Sequence, residues 1–458
     1  MNRTNMRALA RLAPLLAPLV VVACKDDPVP VNPPGVTDVD GGGTSSCAPP
    51  TGAGTTHDTA PSIDETWTAA ASPHVVSGSL SLPAGRTITI EPCAVVQMKS
   101  GASMIVEGKL LALGAEDKRI RFERGDANAP WKTIEARKGA ELRFAYTLID
   151  GGGKLDGSSP TGVGALDIRG DQDSATQPIL FVDSVVVRGS ESLGILVREG
   201  GGFAPGSKDL AITAGASFPI SIWGRAAGSL PSGSYGGNAV DEIILPAMGG
   251  RDDVKEDTKL ANLGVPFRVG GPTGGKSLTV AGTGSVPLLT IAAGVKLRFD
   301  KDVRLDIEAN SDVAAGALRV EGAAGDPVVF ESAAATPAAG DWVGIVIEGK
   351  PDARNSIAHA VIRYAGGASQ ISSFDCPSPL NSGFGNEGAI VIAGGQPGSA
   401  FVTNTTIESS AGDGIVRGWT GAPVDMLPTN TFTNVARCNQ TYPKPQAGSC
   451  PDPAPCPK

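Results

Sequence analysis

The sequence predicts an all-β solenoid, a parallel β-helix of short strands stacked coil on coil, and three observations predict it. The chain has 458 residues, 41% of them apolar, with 61 Gly and 36 Pro, so it carries both the material for a large core and frequent turn signals. Its apolar residues alternate in short runs, and no stretch of the body keeps the 3.6-residue period of an amphipathic helix. Most of the body can also be laid against itself, which marks a repeat architecture. About 390 residues of short strands without a change of composition exceed what one sandwich core holds, whereas stacked coils have no such limit. At roughly 20 to 25 residues per coil the body holds roughly 13 to 17 coils.

The N-terminus reads as a processing signal. Arg3, Arg7 and Arg11 precede an apolar run, Leu12 to Val22, that is too short and too interrupted by Pro14 and Pro18 to span a bilayer. The run ends in Val21-Val22-Ala23-Cys24, which resembles the lipobox of bacterial lipoprotein signal peptides. That resemblance implies removal of residues 1–23 as a signal peptide and acylation of Cys24, palmitate included, so that the exported protein is anchored in the cell envelope, at the outer membrane or cell surface rather than the inner membrane. An ordinary secretory peptide with a cysteine beside its cut site is the alternative, and it also implies export. Residues 24–63 are mostly Pro, Gly, Thr, Asp and Ser, with Pro28 to Pro34 favouring extended chain and Gly41-Gly42-Gly43 a joint, and read as a flexible tether. The formal charge of −9, from 38 basic and 47 acidic residues, argues against a nucleic-acid partner. Without residues 1–23 the balance is 35 against 47, about −12, so membrane attachment rests on acyl chains and not on attraction to anionic lipid.

The body divides into a first half, 64–257, a second half, 258–437, and a Cys- and Pro-rich tail, 438–458. Ile88-Thr89-Ile90 matches Leu289-Thr290-Ile291, Val96 and Met98 match Leu297 and Phe299, and Met104 and Val106 match Leu305 and Ile307. Trp131 to Ile134 matches Trp342 to Ile345, Tyr146 to Ile149 matches His359 to Ile362, Gly164 to Ile168 matches Gly388 to Ile392, and Val182 to Ile195 matches Val402 to Ile415. The entrances also agree, with His74 where the second copy has Phe267. Two departures are Cys93 against Gly294 and Trp67 against Leu260.

The runs LxIxxGVxLxF, GxLxVxGxxxxPVxF, GDWxGIxI and HAVIRYAG resemble those of right-handed parallel β-helix surface proteins, including exported lipoproteins. The resemblance covers about Trp67 to Asn434 and implies a right-handed parallel β-helix. It does not imply one activity, because such coils serve polysaccharide lyases, adhesins and plain scaffolds alike.

Six cysteines follow Cys24: Cys47, Cys93, Cys376, Cys438, Cys450 and Cys456. An even number in an exported chain points to disulfides, and Cys47 is the near partner of Cys93. The other four then pair locally and staple the open end of the stack. No CxxC spacing appears, so no metal is expected. Asp171-Gln172-Asp173 lacks the rest of a calcium loop, leaving a structural calcium as an unsupported option and no cofactor expected.

Three histidines limit the chemistry. His57 falls in the tether and His74 in an aromatic slot. His359 and Arg363 are the remaining catalytic candidates, because positions 359, 361 and 363 of one strand share a face where Arg363 is placed to pair with a substrate carboxylate. The first copy has Tyr146 and Asp150 there, which fits a solvated face better. Asp300, Asp302, Asp306 and Glu308 likewise fit an outward face better than a calcium or sugar groove. The favoured function is a non-catalytic, monomeric surface scaffold for adhesion, whose faces and inserted loops (Asp150 to Gly164, Leu230 to Gly237, Gly366 to Gly388) bind polysaccharide or a surface protein. The alternative is a carbohydrate-active enzyme, a polysaccharide lyase or glycoside hydrolase.

Overall fold

A computed structural model describes residues 46–155, 162–271, 276–308, 314–371, 375–376, 386–451 and 456. The expected signal peptide, Cys24 and most of the tether lie outside these residues. Residues 42–458 form one compact unit. Among the described residues there are 36 strands and two short 3-10 segments, Ala69–Ala71 and Gly224–Ser229. The chain is a parallel β-helix: strands far apart in sequence pair in parallel throughout, in two 13-stranded and two five-stranded sheets.

Alternation explains the strands. In Ser79–Leu82 the residues Leu80 and Leu82 point inward and are buried, and in Ser103–Val106 the same holds for Met104 and Val106. One 13-stranded sheet runs the length of the body, and its register aligns inward residues in one unbroken file. The file passes Leu80, Met104, Ile134, Leu166, Ile195, Ile220 and Ile243. It continues through Phe267, Leu297, Phe330, Ile362, Ile407 and Phe432. Each such side chain contributes about 1.5–3 kcal/mol by leaving water, so the file is a main source of cohesion between coils.

The duplication survives in the backbone. Cys93 and Gly294 share a left-handed conformation, φ 70° and 73°, as do Tyr146 and His359 (44° and 50°) and Ser184 and Asn404 (57° and 49°). These are corners, where the chain turns from one face to the next. Trp131 Nε1 donates to the carbonyl of Asp150 at 2.7 Å, and Trp342 Nε1 to that of Arg363 at 2.9 Å. The backbone carbonyl is what the indole needs at this position, so its side chain is free to be acidic in one copy and basic in the other.

The second copy is also displaced one step around the coil. Phe267 stacks on Ile243 and Leu297 in the long sheet, whereas its sequence counterpart His74 stacks on Val96 in a different one. Leu305 likewise leaves the sheet of its counterpart Met104 for the five-stranded sheet of Ser277–Val280. The joint is the segment 246–257, where Met248 and Val254 bridge to Ser277 and Val280.

Three disulfides close the ends: Cys47–Cys93, Cys376–Cys450 and Cys438–Cys456. The first is the expected pair, the second binds the insertion after Gly366 to the tail, and the third closes the tail on itself. The span assigned to the tether needs correction at its C-terminal end. Thr55–His57 is a strand paired in register with His74–Val76, so the body begins before residue 64. Backbone pairing, rather than apolar content, recruits this segment, since Thr55 and Thr56 stay exposed.

Candidate functional site

The histidine and arginine candidates do not form a site. His359 is a half-buried corner residue ahead of the strand Ala360–Arg363, and its left-handed φ of 50° takes it off the face that Arg363 occupies. Arg363 holds Glu331 through Nε at 3.0 Å and Nη2 at 2.5 Å, and Glu408 through Nη1 at 3.5 Å. Glu408 sits in direct register with it on one adjacent rung, and Glu331 follows the last paired residue of the other. Arg363 therefore ties three coils together, and the expected approach to a substrate carboxylate is corrected to a structural ladder. It belongs to a longer run in which Arg268 holds Asp300 at 2.7 Å and Arg298 holds Glu242.

His57 is not in a tether. Its Nε2 lies 3.0 Å from His74 Nδ1, and His74 Nε2 donates to the Thr68 carbonyl at 2.9 Å. Trp67 stacks on both rings, at 4.1 and 5.2 Å between centroids. His57 Nδ1 lies 3.6 Å from Glu65, which also accepts the Trp67 indole proton at 2.9 Å. Burial pushes both histidines below their ordinary value, with Glu65 pulling each upward and Asp58 adding to that pull on His57. A neutral pair suits this chain of hydrogen bonds, because a proton on His74 Nδ1 would face the His57 N–H. The sign follows from the lowered folded values: the native state binds fewer protons than the unfolded chain, so this part of the stability is present above about pH 6.5 and is lost as the pH falls below it. Hydrogen exchange over residues 55–76, corrected for intrinsic rates, is expected to accelerate between pH 7.5 and 5.5. His74→Phe, which fills the slot as Phe267 does, is expected to remove most of that acceleration. An unchanged acceleration in the variant would assign it elsewhere.

A site with room for a ligand lies on the five-stranded sheet of Ser277–Val280, Arg304–Ile307, Gly344–Gly349, Gly388–Gly394 and Asp413–Trp419. Leu278, Leu305, Ile345 and Ile390 point into the core. On the outer face Val346, Val391 and Val416 stack in register and are buried. What covers part of this outer face is the start of the insertion after Gly366, where Ile371 packs on the valines. Ser369 Oγ donates to the Asn386 carbonyl at 2.9 Å, and Asn386 Nδ2 to the Ile371 carbonyl at 2.9 Å, fixing this roof. Beside it opens a recess of about 930 Å³. Its floor and walls are Lys276, Ser277, Asp302, Arg304, Val343 and Glu348, and its roof is residues 368–371.

Charge in the recess is organised in pairs. Lys276 meets Asp302 at 3.3 Å, and Arg304 meets Asp306 at 2.7 Å and Glu348 at 3.8 Å. Asp306 is 3% exposed, and its Oδ1 has no hydrogen-bond partner among the described residues, while Oδ2 also accepts from Ser277 Oγ at 3.4 Å. Burial pushes the Asp306 carboxyl up to about 6 against the pull of Arg304, with Glu348 adding to the rise. Glu308 is raised for the same reasons, burial first and then Asp253 and Glu348. Of the four carboxylates read as one outward face, Asp302 lines this recess and Asp306 lies beneath its lining residues Ser277 and Arg304. Asp300 points to another sheet, and Asp306 is buried because Arg304 and Ser277 close over it. Among the described residues no group of His, Cys, Asp and Glu has the geometry to hold a metal ion. Asp171 is engaged by Lys138 at 2.6 Å and Ser174 at 3.0 Å.

Of the three expected loops, the one after Gly366 reaches the recess, although residues 372–374 and 377–385 lie outside the described ones. The turn at Leu230 to Gly237 is closed on itself by Tyr235 Oη donating to the Pro231 carbonyl at 2.7 Å, and residues 156–161 of the first loop are not described. The recess had one signal in the sequence. The runs Gly344 to Ile347 and Ala389 to Ala393 are apolar without alternation, which marks strands covered on both faces.

A family model described as a pectate-lyase like beta helix domain matches residues 277–372, from the first strand of the recess to its roof. No curated protein and no solved structure matches the chain.

Proposed function

We propose that this protein is an exported, non-catalytic β-helix lipoprotein, anchored through Cys24, that binds carbohydrate in the recess beside Arg304. The observation that carries the reading is the coincidence of the recess with the segment similar to a pectate-lyase like β-helix domain. The recess is polar, preformed and of a size for a few sugar residues. Its acids support binding over catalysis. Asp306, the carboxyl with the raised pKa, is held under Arg304 with a side-chain exposure of 4%, and a general acid must reach the glycosidic oxygen. The enzyme reading retains one favourable observation, that an acid near pH 6 beside Glu348 resembles the pair of environments a glycosidase uses.

One experiment separates the two. Purified full chain in detergent is incubated with a panel of neutral, acidic and amino polysaccharides, and both retention and new chain ends are measured. Retention without cleavage is expected, weakened about tenfold by Glu348→Ala through loss of a charged hydrogen bond from a residue that lines the recess. New reducing ends or unsaturated products would establish the enzyme, and retention of none of the glycans would remove the carbohydrate reading. Labelling with a lipid precursor, lost in Cys24→Ala, tests the anchor separately.

A further inference from the structure

We propose that the recess selects glycans carrying free amino groups, such as deacetylated hexosamine chains, and rejects uronates. This rests on the carbohydrate reading above and specifies its ligand class. The argument is a charge balance at one place. Two cations line the recess, Lys276 and Arg304, and each is already engaged, by Asp302 at 3.3 Å and by Asp306 at 2.7 Å. Against them stand Asp302, Asp306 and Glu348, with Glu308 close enough to raise, and be raised by, its neighbours. The segments adjoining these strands in sequence, 272–275, 309–313 and 372–374, contain no Lys or Arg and one further acid, Asp312.

The acids differ in what they have left to offer. Glu348 is 41% exposed at its side chain, and its contact with Arg304 is long, 3.8 Å. Asp302 is 56% exposed. Asp306 is buried between two lining side chains, Ser277 and Arg304, with Oδ1 unpartnered among the described residues. A ligand ammonium entering beside Glu348 gains a charge-assisted hydrogen bond, and the field of Asp302, Asp306 and Glu308 favours it further. A uronate entering the same space meets Lys276 and Arg304 only beside the carboxylates they already hold, and repulsion from Asp302, Asp306 and Glu348 disfavours it relative to a neutral chain.

The test is calorimetric titration of the full chain in detergent at pH 6, where sugar amines are charged, with three hexamers: glucosamine, N-acetylglucosamine and galacturonate. The glucosamine hexamer is expected to bind about tenfold more tightly than its acetylated form, the equivalent of one charged hydrogen bond. That advantage is expected to shrink in high salt and to disappear in Glu348→Gln, while galacturonate gives no heat. Glu331→Gln, in the ladder of another sheet, serves as a control and leaves the preference intact. Equal affinity for the two hexosamine chains, or tighter binding of galacturonate, overturns the proposal but keeps a carbohydrate-binding recess. Failure of all three hexamers, with no retention on the wider panel, overturns both.

Discussion

Trp342→Ala lowers the unfolding free energy by about 4 kcal/mol, an expectation set by the cost of truncating a large buried aromatic. Trp342 is fully buried, stacks on Phe299 with centroids 4.2 Å apart, and donates its indole proton to the Arg363 carbonyl at 2.9 Å. Alanine leaves a cavity at a corner and an unsatisfied carbonyl together. Trp342→Phe keeps the stacking and loses the hydrogen bond, and is expected to cost about 1 to 3 kcal/mol. Urea titration followed by circular dichroism reads both. If the two variants lose the same amount, the volume of the indole is not what holds this corner. Val343, which lines the recess, is the next residue, so Trp342→Ala is also expected to weaken glycan retention.

Asp252→Asn is expected to stabilise the protein at pH 8, by on the order of 3 kcal/mol. Asp252 is inaccessible to solvent, and Oδ1 accepts the Met248 amide at 3.0 Å, but Oδ2 has no partner among the described residues. Burial pushes this carboxyl up to about 7, opposed by its backbone hydrogen bonds and the nearby Arg225 and assisted by Asp253. Its folded pKa stands above the unfolded value of 3.8, so the native state binds the proton more strongly. The associated stability is fully present below about pH 4 and is lost as the pH rises to about 7. Asparagine removes this titration and keeps the acceptor for Met248. Denaturation midpoints at pH 5 and pH 8 are the measurement. The parent is expected to lose stability across this interval and the variant to lose less, the remaining slope being the loss from Asp306 and Asp413, both raised to about 6, set against the gain from the lowered His57 and His74. Parallel slopes in parent and variant would show that Asp252 is not the titrating group.

Local rules made much of the fold legible. Period-two alternation marks the inward residues of Ser79–Leu82 and Ser103–Val106, and the internal repeat pairs Tyr146 with His359, two residues that the structure finds in the same left-handed conformation. Proximity in the chain marked Cys47 and Cys93. The site was less legible. Reading His359 and Arg363 as one face failed because the corner between strands resets which way a side chain points, and alternation along a strand carries no information about its first residue's turn. Likewise Asp306 looked like its exposed neighbours, since nothing in the spacing of acids reveals that Ser277 and Arg304, one rung away or adjacent, close over it.

By itself the sequence determined that this chain coils into stacked short strands with a repeated half, because side-chain periodicity and backbone handedness at corners are properties of a few consecutive residues. Only the tertiary structure decided that the second copy advances one sheet, that Arg363 is held by Glu331 and Glu408, and that a recess opens beside Arg304. Those depend on how the length of each connecting loop sets one coil upon the next, and partners tens of residues apart meet or miss by that register alone.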